Sequence, residues 1–323
     1  MNILYIIIDT LKYGLPYAIL ALGVFITYRQ LDIADLGCEG TFTLGGVVSA
    51  LFIYHGINPF LATLIAIVSG FLAGIVTGLL HTQLKIPALL SGIITLTGLF
   101  SINMVLMGIG TRSSQGFDTT INFLYKYSTS SERIRTTTIY SSFQNLLGKM
   151  NINLSNNLSI IILSILIVIL VLAVVYLFFG TEVGMSIRAT GMNGKMARAQ
   201  GINTSLMIVL GLGISNALIA LGGSLTAQIT RSANSLMGTG IIVLALSSVI
   251  IGESIFGKRS FKNWIISVSL GAIVYYLIIA IALALNMPNH FLKLLYAVLI
   301  VIVLSIPLIK ELVTKFKKKE VTN

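Results

Sequence analysis

Residues 158–180, LSIIILSILIVILVLAVVYLFFG, run 23 positions without a charged side chain, and 181–203, TEVGMSIRATGMNGKMARAQGIN, follow before the next apolar run begins. At 1.5 Å of rise per residue the first stretch is long enough to cross a hydrocarbon core of about 30 Å as a helix. A backbone in lipid must satisfy its own polar groups, and a helix does so. The second stretch is the one strongly polar, basic connection between long apolar segments. Asn193 reads as a helix N-cap, Gly194 to Gln200 as about two turns, and Gly201 as the C′ residue that closes them. Arg188, Lys195 and Arg198 assign this short helix to the cytoplasmic side. On charge and spacing alone it is either a rigid handle for a soluble partner or a basic loop that sets topology.

The rest of the chain has the same character. Of 323 residues 56% are hydrophobic and 10% charged, with a mean hydropathy of +0.96, whereas soluble domains carry roughly 25% charged residues. The expected fold is all-α, a polytopic transmembrane helical bundle forming a single domain over 1–323. The formal net charge of +11 comes from residues in loops and in the tail 310–323. That placement fits positive-inside topology and contact with anionic membrane lipid, and argues against nucleic acid as a partner. A lone cysteine, Cys38, excludes an internal disulfide and a zinc cluster, and reads as a small packing residue. His55, His81 and His290 are far apart near span ends, so no metal site is expected. The N-terminal stretch lacks a basic n-region and a small-residue cleavage site, so no cleavable signal peptide is expected.

About nine spans are expected: 12–28, 37–54, 58–80, 88–109, 158–180, 203–226, 238–256, 262–285 and 290–309. Residues 2–11 form either an interfacial helix or an extension of the first span kinked near Pro16. The second and seventh spans are short and Gly-interrupted, as re-entrant or broken helices are. Gly40-Thr41 and Gly238-Thr239 open these two spans, which run in opposite directions, a pattern that fits an inverted repeat. Arg29, Lys85, Arg188, Lys195, Arg198, Lys258, Arg259, Lys262 and the basic tail all fall on one side. The N-terminus is therefore expected outside and the C-terminus in the cytoplasm. The loop 110–157 is then extracytoplasmic, with a helix near Ile139 to Met150. It is either a cap that docks a binding protein or a tolerated insertion.

Three stretches carry a resemblance to a known family. Arg188-Ala189-Thr190-Gly191-Met192-Asn193 with Met196-Ala197-Arg198-Ala199-Gln200-Gly201-Ile202 resembles the cytoplasmic coupling loop of ABC importer permeases of the branched-chain amino acid, ribose and nucleoside group. Leu31 to Gly46 resembles their early re-entrant segment, and its Glu-Gly-Thr-Phe run is similar to the tryptophan/tyrosine transport permeases. Val249 to Gly257 resembles their late Ile-Gly-Gly…Gly motif, with Glu253 where a second small residue is usual. The resemblance implies a permease subunit in a bacterial plasma membrane, paired with a second permease copy, a cytoplasmic ATP-binding subunit and an extracytoplasmic substrate-binding protein or lipoprotein. It also implies ATPase-coupling roles for Arg188, Gly191, Met192, Asn193, Met196, Arg198 and Gly201. Met192 and Met196, four apart, would present one apolar face, and Arg198 would meet an acidic rim. The cargo would be a small solute, an amino acid and an aromatic one by subfamily, with nucleosides and sugars open.

The residues themselves supply no catalytic constellation. A phosphate-cradling Gly-x-x-x-x-Gly-Lys-Ser/Thr run is missing, so ATP would be used by a partner subunit and no cofactor is expected on this chain. Candidate pathway or gate residues are Glu39, Thr41, Thr43, Thr95, Asn103, Asn216, Ser247 and Glu253. Ser91, Thr95 and Thr97 are read as nearly sharing a face, and Ser101, Ser215 and Ser248 are further polar positions within spans. Ser and Thr in spans commonly bond their own helix or a neighbour instead. Glu39 reads as a carboxylate at a half-helix N-terminus, where it favours the dipole. Charge is nearly absent from span middles, which disfavours an ion-coupled transporter. That class and a non-transporting scaffold remain the alternatives. Gly70, Gly74 and Gly78, at spacing four, read as a close-approach stripe for another helix, in this chain or in a dimer.

Overall fold

The computed structural model describes residues 3–111, 120–123, 125–127, 133–149 and 155–285, together with Leu294, Val298, Val301 and Ser305. The elements are α1 (Ile3–Phe25) with a π-helical turn (Ile26–Gln30), α2 (Cys38–Tyr54), α3 (Pro59–Thr82), α4 (Ala88–Thr111), β1 (Thr120–Asn122), β2 (Tyr125–Tyr127), β3 (Arg133–Arg135), α5 (Ile139–Lys149), α6 (Asn156–Phe179), α7 (Glu182–Met192), α8 (Gly194–Ala199), α9 (Thr204–Thr230), β4 (Ser232–Asn234), α10 (Ile241–Phe256) and α11 (Phe261–Ala284). Among the described residues six helices are long and apolar enough to cross a membrane, and α2 and α10 are shorter apolar helices. These eight match eight expected spans. The ninth, 290–309, lies outside the described residues except for Leu294, Val298, Val301 and Ser305, which are helical. Residues 3–11 continue the first span, with Pro16 inside it, and do not form a separate helix.

Helix α9 is the axis of the bundle and packs against α1, α2 and α3, while α10 and α11 pair beside α1. Without a hydrophobic drive between helices in lipid, close backbone contact through small residues supplies the packing. The Gly70, Gly74 and Gly78 stripe lies on α9 of the same chain: a Cβ on Gly70 or Gly74 would strike the Asn216 or Leu212 carbonyl. Helices α2 and α9 cross with Gly45 on the Ala220 carbonyl and Gly223 on the Phe42 carbonyl. The opposite faces are turned outward. Leu61, Leu64, Val68, Leu72 and Val76 of α3 and Leu166, Ile169, Leu170 and Val174 of α6 are exposed, as lipid-facing positions should be.

The connections sort into two ends. At one, Arg29 meets Glu253, Gly191 abuts the Gln30 carbonyl and Gly92 abuts Leu36. At the other, β1 pairs antiparallel with β4, and Gln228 of α9 accepts the first N–H of α5, at Ile139, at 3.0 Å. Gln228 also donates to Thr63 at 2.7 Å, so α5 is tied to α3 and α9. Helix α5 occupies the expected 139–150 region. The short ladders β1–β4 and β2–β3 were not expected. Three-residue strands leave no period to read, and β1 and β4 pair across more than a hundred positions.

Candidate functional site

Two irregular, partly buried segments enter the bundle from opposite ends. Residues 31–37 follow the π-helical turn and lead into α2, with Leu31, Ile33 and Asp35 buried. Residues 235–240 follow β4 and lead into α10. Irregular backbone at membrane depth survives only inside protein or against a cavity; Leu31, Ile33, Asp35, Ser235 and Gly238 are buried, and Ser235, Leu236, Gly238 and Thr239 border a cavity. Asp35 Oδ1 accepts the Gly37 N–H at 2.8 Å, and Asp35 Oδ2 accepts from Asn216 Nδ2 at 2.8 Å. On the other side Glu39 Oε1 accepts the Gly240 N–H at 2.9 Å. Thr43 Oγ1 accepts the Gly238 N–H at 3.1 Å and donates to the Glu39 carbonyl. Gly238 lies so close to that carbonyl that a Cβ would collide with it. The N-termini of α2 and α10 therefore meet, and the Glu39 carboxylate caps α10 from the first turn of α2.

Beside this junction lies a cavity of about 340 Å³ lined by Glu39, Gly40 and Thr43 of α2, Leu96, Thr97, Phe100 and Asn103 of α4, and Ser235, Leu236, Gly238 and Thr239. Asn103 donates from Nδ2 to the Gly40 carbonyl at 3.2 Å. A larger hollow of about 580 Å³ between α3 and α4 is almost wholly apolar and includes Leu72, Val76 and Ile102. Its outward leucines and isoleucines make it lipid-facing surface.

At the end where Arg29 meets Glu253, a second cluster forms. Arg29 makes a two-pronged ion pair with Glu253, Nε to Oε1 at 2.8 Å and Nη2 to Oε2 at 2.6 Å, and the Trp264 indole N–H donates to the same Oε1 at 2.8 Å. Next to it, 181–203 folds as an elbow of two helices. Thr181 caps α7 by accepting the Gly184 N–H. Asn193 breaks the helix at φ −156° and caps α8 by accepting the Met196 N–H at 3.1 Å, and Gly201 closes the end at φ +83°. The elbow is fastened to the bundle by Gly191 on the Gln30 carbonyl and by Arg188, whose guanidinium lies 4.4 Å from the Phe261 ring centroid. Met192 is 85% exposed and Met196 58% exposed.

Residues 6–304 match the family described as the branched-chain amino acid transport system / permease component. The chain belongs to that family. Among curated relatives it is 34% identical over 93% of this chain and 90% of the other to the tyrosine transport system permease protein of Clostridioides difficile (strain R20291). It is 28% identical to an inner membrane ABC transporter permease protein of Escherichia coli (strain K12), over 75% of this chain and 62% of that one. It is 26% identical to a galactofuranose transporter permease protein of the same organism, over 83% and 69%. The protein is thus the membrane-spanning permease subunit of an ABC-type transporter, whose family implies an ATPase and a substrate-binding protein as partners.

The permease structure divides the expected pathway residues. Glu39, Thr43 and Asn103 converge on the cavity, joined by Thr97. The others have different partners. Thr41 donates to the Gly37 carbonyl, Thr95 pairs with Thr77 of α3 at 2.9 Å, Asn216 holds Asp35, Ser247 bonds the Val243 carbonyl of its own helix, and Glu253 is in the Arg29 pair. Thr97 does not share a face with Ser91 and Thr95: those two are buried, Thr95 against Thr77 of α3, while Thr97 opens on the cavity. A step of two residues turns a helix by about 200°, which separates them. Met192 and Met196 also do not sit on one helix, because Asn193 divides α7 from α8 between them. Phe100, Ser235 and Leu236 were not singled out from sequence, and Thr239 was read only as part of the doublet that opens a short span. Only the Gly238-Thr239 doublet pointed to their neighbourhood.

Proposed function

We propose that this permease imports an amino acid of the aromatic type, received from an extracytoplasmic binding protein and driven inward by a separate ATPase that hydrolyses the ATP. The observation that carries the mechanism is the elbow α7–α8. Two methionines stand exposed on a doubly capped element that is anchored to the transmembrane helices through Gly191 and Arg188. Exposed Met side chains adapt to a partner groove, and a capped, anchored elbow transmits displacement to the π-helical turn and to Phe261. Gly191, Asn193 and Gly201 shape the elbow, Arg188 fastens it, and Met192, Met196 and Arg198 make the contact. The cargo class follows from 34% identity along nearly the whole length to a permease named for tyrosine transport. The working unit is two copies of this chain in the plasma membrane, with the elbow and residues 310–323 on the cytoplasmic side and 110–157 outside.

The test uses proteoliposomes holding the permease, its ATPase and its binding protein. Tyrosine accumulation with ATP and no ion gradient is the expected result. Accumulation with a pH gradient and no ATP would overturn the reading in favour of an ion-coupled carrier.

A further inference from the structure

The cavity at the junction of α2 and α10 has a definite electrostatic sense. Of the described residues that line it, Glu39 is the only one with a formal charge. Asn103 is 1% exposed. Its Nδ2 is committed to the Gly40 carbonyl, and a carbonyl partner takes an amide NH₂ and not an amide oxygen, which fixes the orientation of the group. Its Oδ1 is buried and has no hydrogen-bond partner among the described residues. A buried acceptor without a donor costs stability, so its retention calls for an explanation.

In transporters with broken helices, half-helix N-termini commonly take the carboxylate of a substrate. Here the N–H groups leading into α10 are already spent. Gly238 N–H goes to Thr43, Gly240 N–H to Glu39, Thr239 N–H to the Leu236 carbonyl and Ile241 N–H to the Gly238 carbonyl. Apart from the Ser235 and Thr239 hydroxyls, which both donate and accept, what the cavity offers is a carboxylate and an unmatched amide oxygen, beside the apolar side chains of Leu96, Phe100 and Leu236. That set matches a donor bearing positive charge attached to an apolar body.

Resting on the reading of the chain as an amino-acid permease, we propose that this cavity is a binding site within the membrane domain for the ammonium end of the cargo. Asn103 Oδ1 and the Glu39 carboxylate accept hydrogen bonds from the –NH₃⁺ group. Leu96, Phe100 and Leu236 hold the side chain. The permease then selects for a primary ammonium independently of the binding protein, and the cargo carboxylate contributes nothing to affinity at this point.

The experiment is calorimetric titration of the full-length chain in detergent with three ligands that share one ring: tyramine, L-tyrosine and 3-(4-hydroxyphenyl)propanoate. Tyramine and tyrosine should bind, and the propanoate should bind at least about ten-fold more weakly. Asn103→Leu and Glu39→Gln should each weaken tyramine by about ten-fold or more, the usual loss for a hydrogen bond to a charged group. Equal affinity for the propanoate and tyramine, or no binding of tyramine, overturns the site. So does a monodisperse Asn103→Leu protein with unchanged tyramine affinity. If a variant does not fold, the ligand series on the unaltered chain decides. ATP-driven tyrosine uptake by the complete transporter is measured in parallel. Intact uptake without tyramine binding overturns the site and leaves the transport reading. Ammonium-selective binding without uptake does the reverse.

Discussion

Removing Glu253 would strip the Arg29 guanidinium and the Trp264 indole N–H of their shared acceptor at once. Glu253 is 10% exposed and Arg29 32% exposed at the side chain, so solvent recovers part of what the cation loses. Breaking a fully buried pair costs about 3–5 kcal/mol and an exposed pair contributes under about 1. Glu253→Ala should therefore destabilise the protein by about 2 kcal/mol, and Glu253→Gln, which keeps an acceptor for Trp264, by about half of that. Denaturant unfolding in detergent, with Arg29→Gln completing a double-mutant cycle, measures both. Additive effects of the two substitutions would mean that the pair is not coupled. Asn216 gives a second case. Asn216→Leu leaves Asp35 Oδ2 without its donor and should cost about 1–3 kcal/mol. The exchange Asp35→Asn with Asn216→Asp restores a donor facing an acceptor, and should recover most of the loss in thermal unfolding. Asn216, Thr95 and Ser247 attract attention in the sequence because polar groups are rare in spans. The partners of Asn216 and Thr95 are set by the packing of segments far apart in the chain, and that of Ser247 lies one turn back on its own helix. The sequence shows that such groups need satisfying but not by what.

The elbow shows how far local rules reach at the scale of an element. Its second half is legible residue by residue, because the Asn193 cap and the Gly201 end depend on nearest neighbours. Its first half, α7, is not, because Gly184 and Gly191 lower the intrinsic helix propensity. Both are there for contact. A Cβ on Gly184 would strike the Phe178 carbonyl, and one on Gly191 the Gln30 carbonyl. Gly191→Ala should push the elbow off the π-helical turn and cost about 1–3 kcal/mol, with ATP hydrolysis continuing while uptake falls. Met196→Asp should act differently. The side chain is exposed, so stability should stay within about 0.5 kcal/mol, while the apolar contact with the ATPase is lost. Co-purification of the ATPase together with uptake assays separates the two. Normal assembly and uptake with Met196→Asp would remove the basis for the docking role. The α3 glycine stripe was legible by its spacing alone, but its partner, α9, is 138 or so positions away along the chain (Gly74 against Leu212) and could come only from the fold.

For the molecule as a whole, the grouping of loops and the direction of insertion are separate questions. The grouping is geometric: 26–37, 181–203 and 253–262 meet at one end, and 120–123, 136–139 and 228–234 at the other. It agrees with the partition drawn from Lys and Arg, which are concentrated in the short loops of the first end. The head-to-head meeting of α2 and α10 adds what the sequence only hinted at with its two Gly-Thr doublets. Segments entering from opposite ends stop at one junction, and the cavity lies there. The sequence could not show the cavity itself, because its walls come from stretches around residues 40, 100 and 238 that meet only in the fold. The direction of insertion rests on the electrostatic rule that basic short loops stay in the cytoplasm. Cysteines placed singly at Asn145 and Gln200 test it, since both positions are exposed and lie on opposite ends. The native Cys38 is 1% exposed and is replaced by Ser as background. With an impermeant thiol reagent on intact cells, after the outer membrane is opened in a Gram-negative host, Asn145→Cys should label and Gln200→Cys should label only once the inner membrane is breached. The opposite pattern would place the methionine elbow outside, where no ATPase can reach it, and the coupling role would fail with the topology.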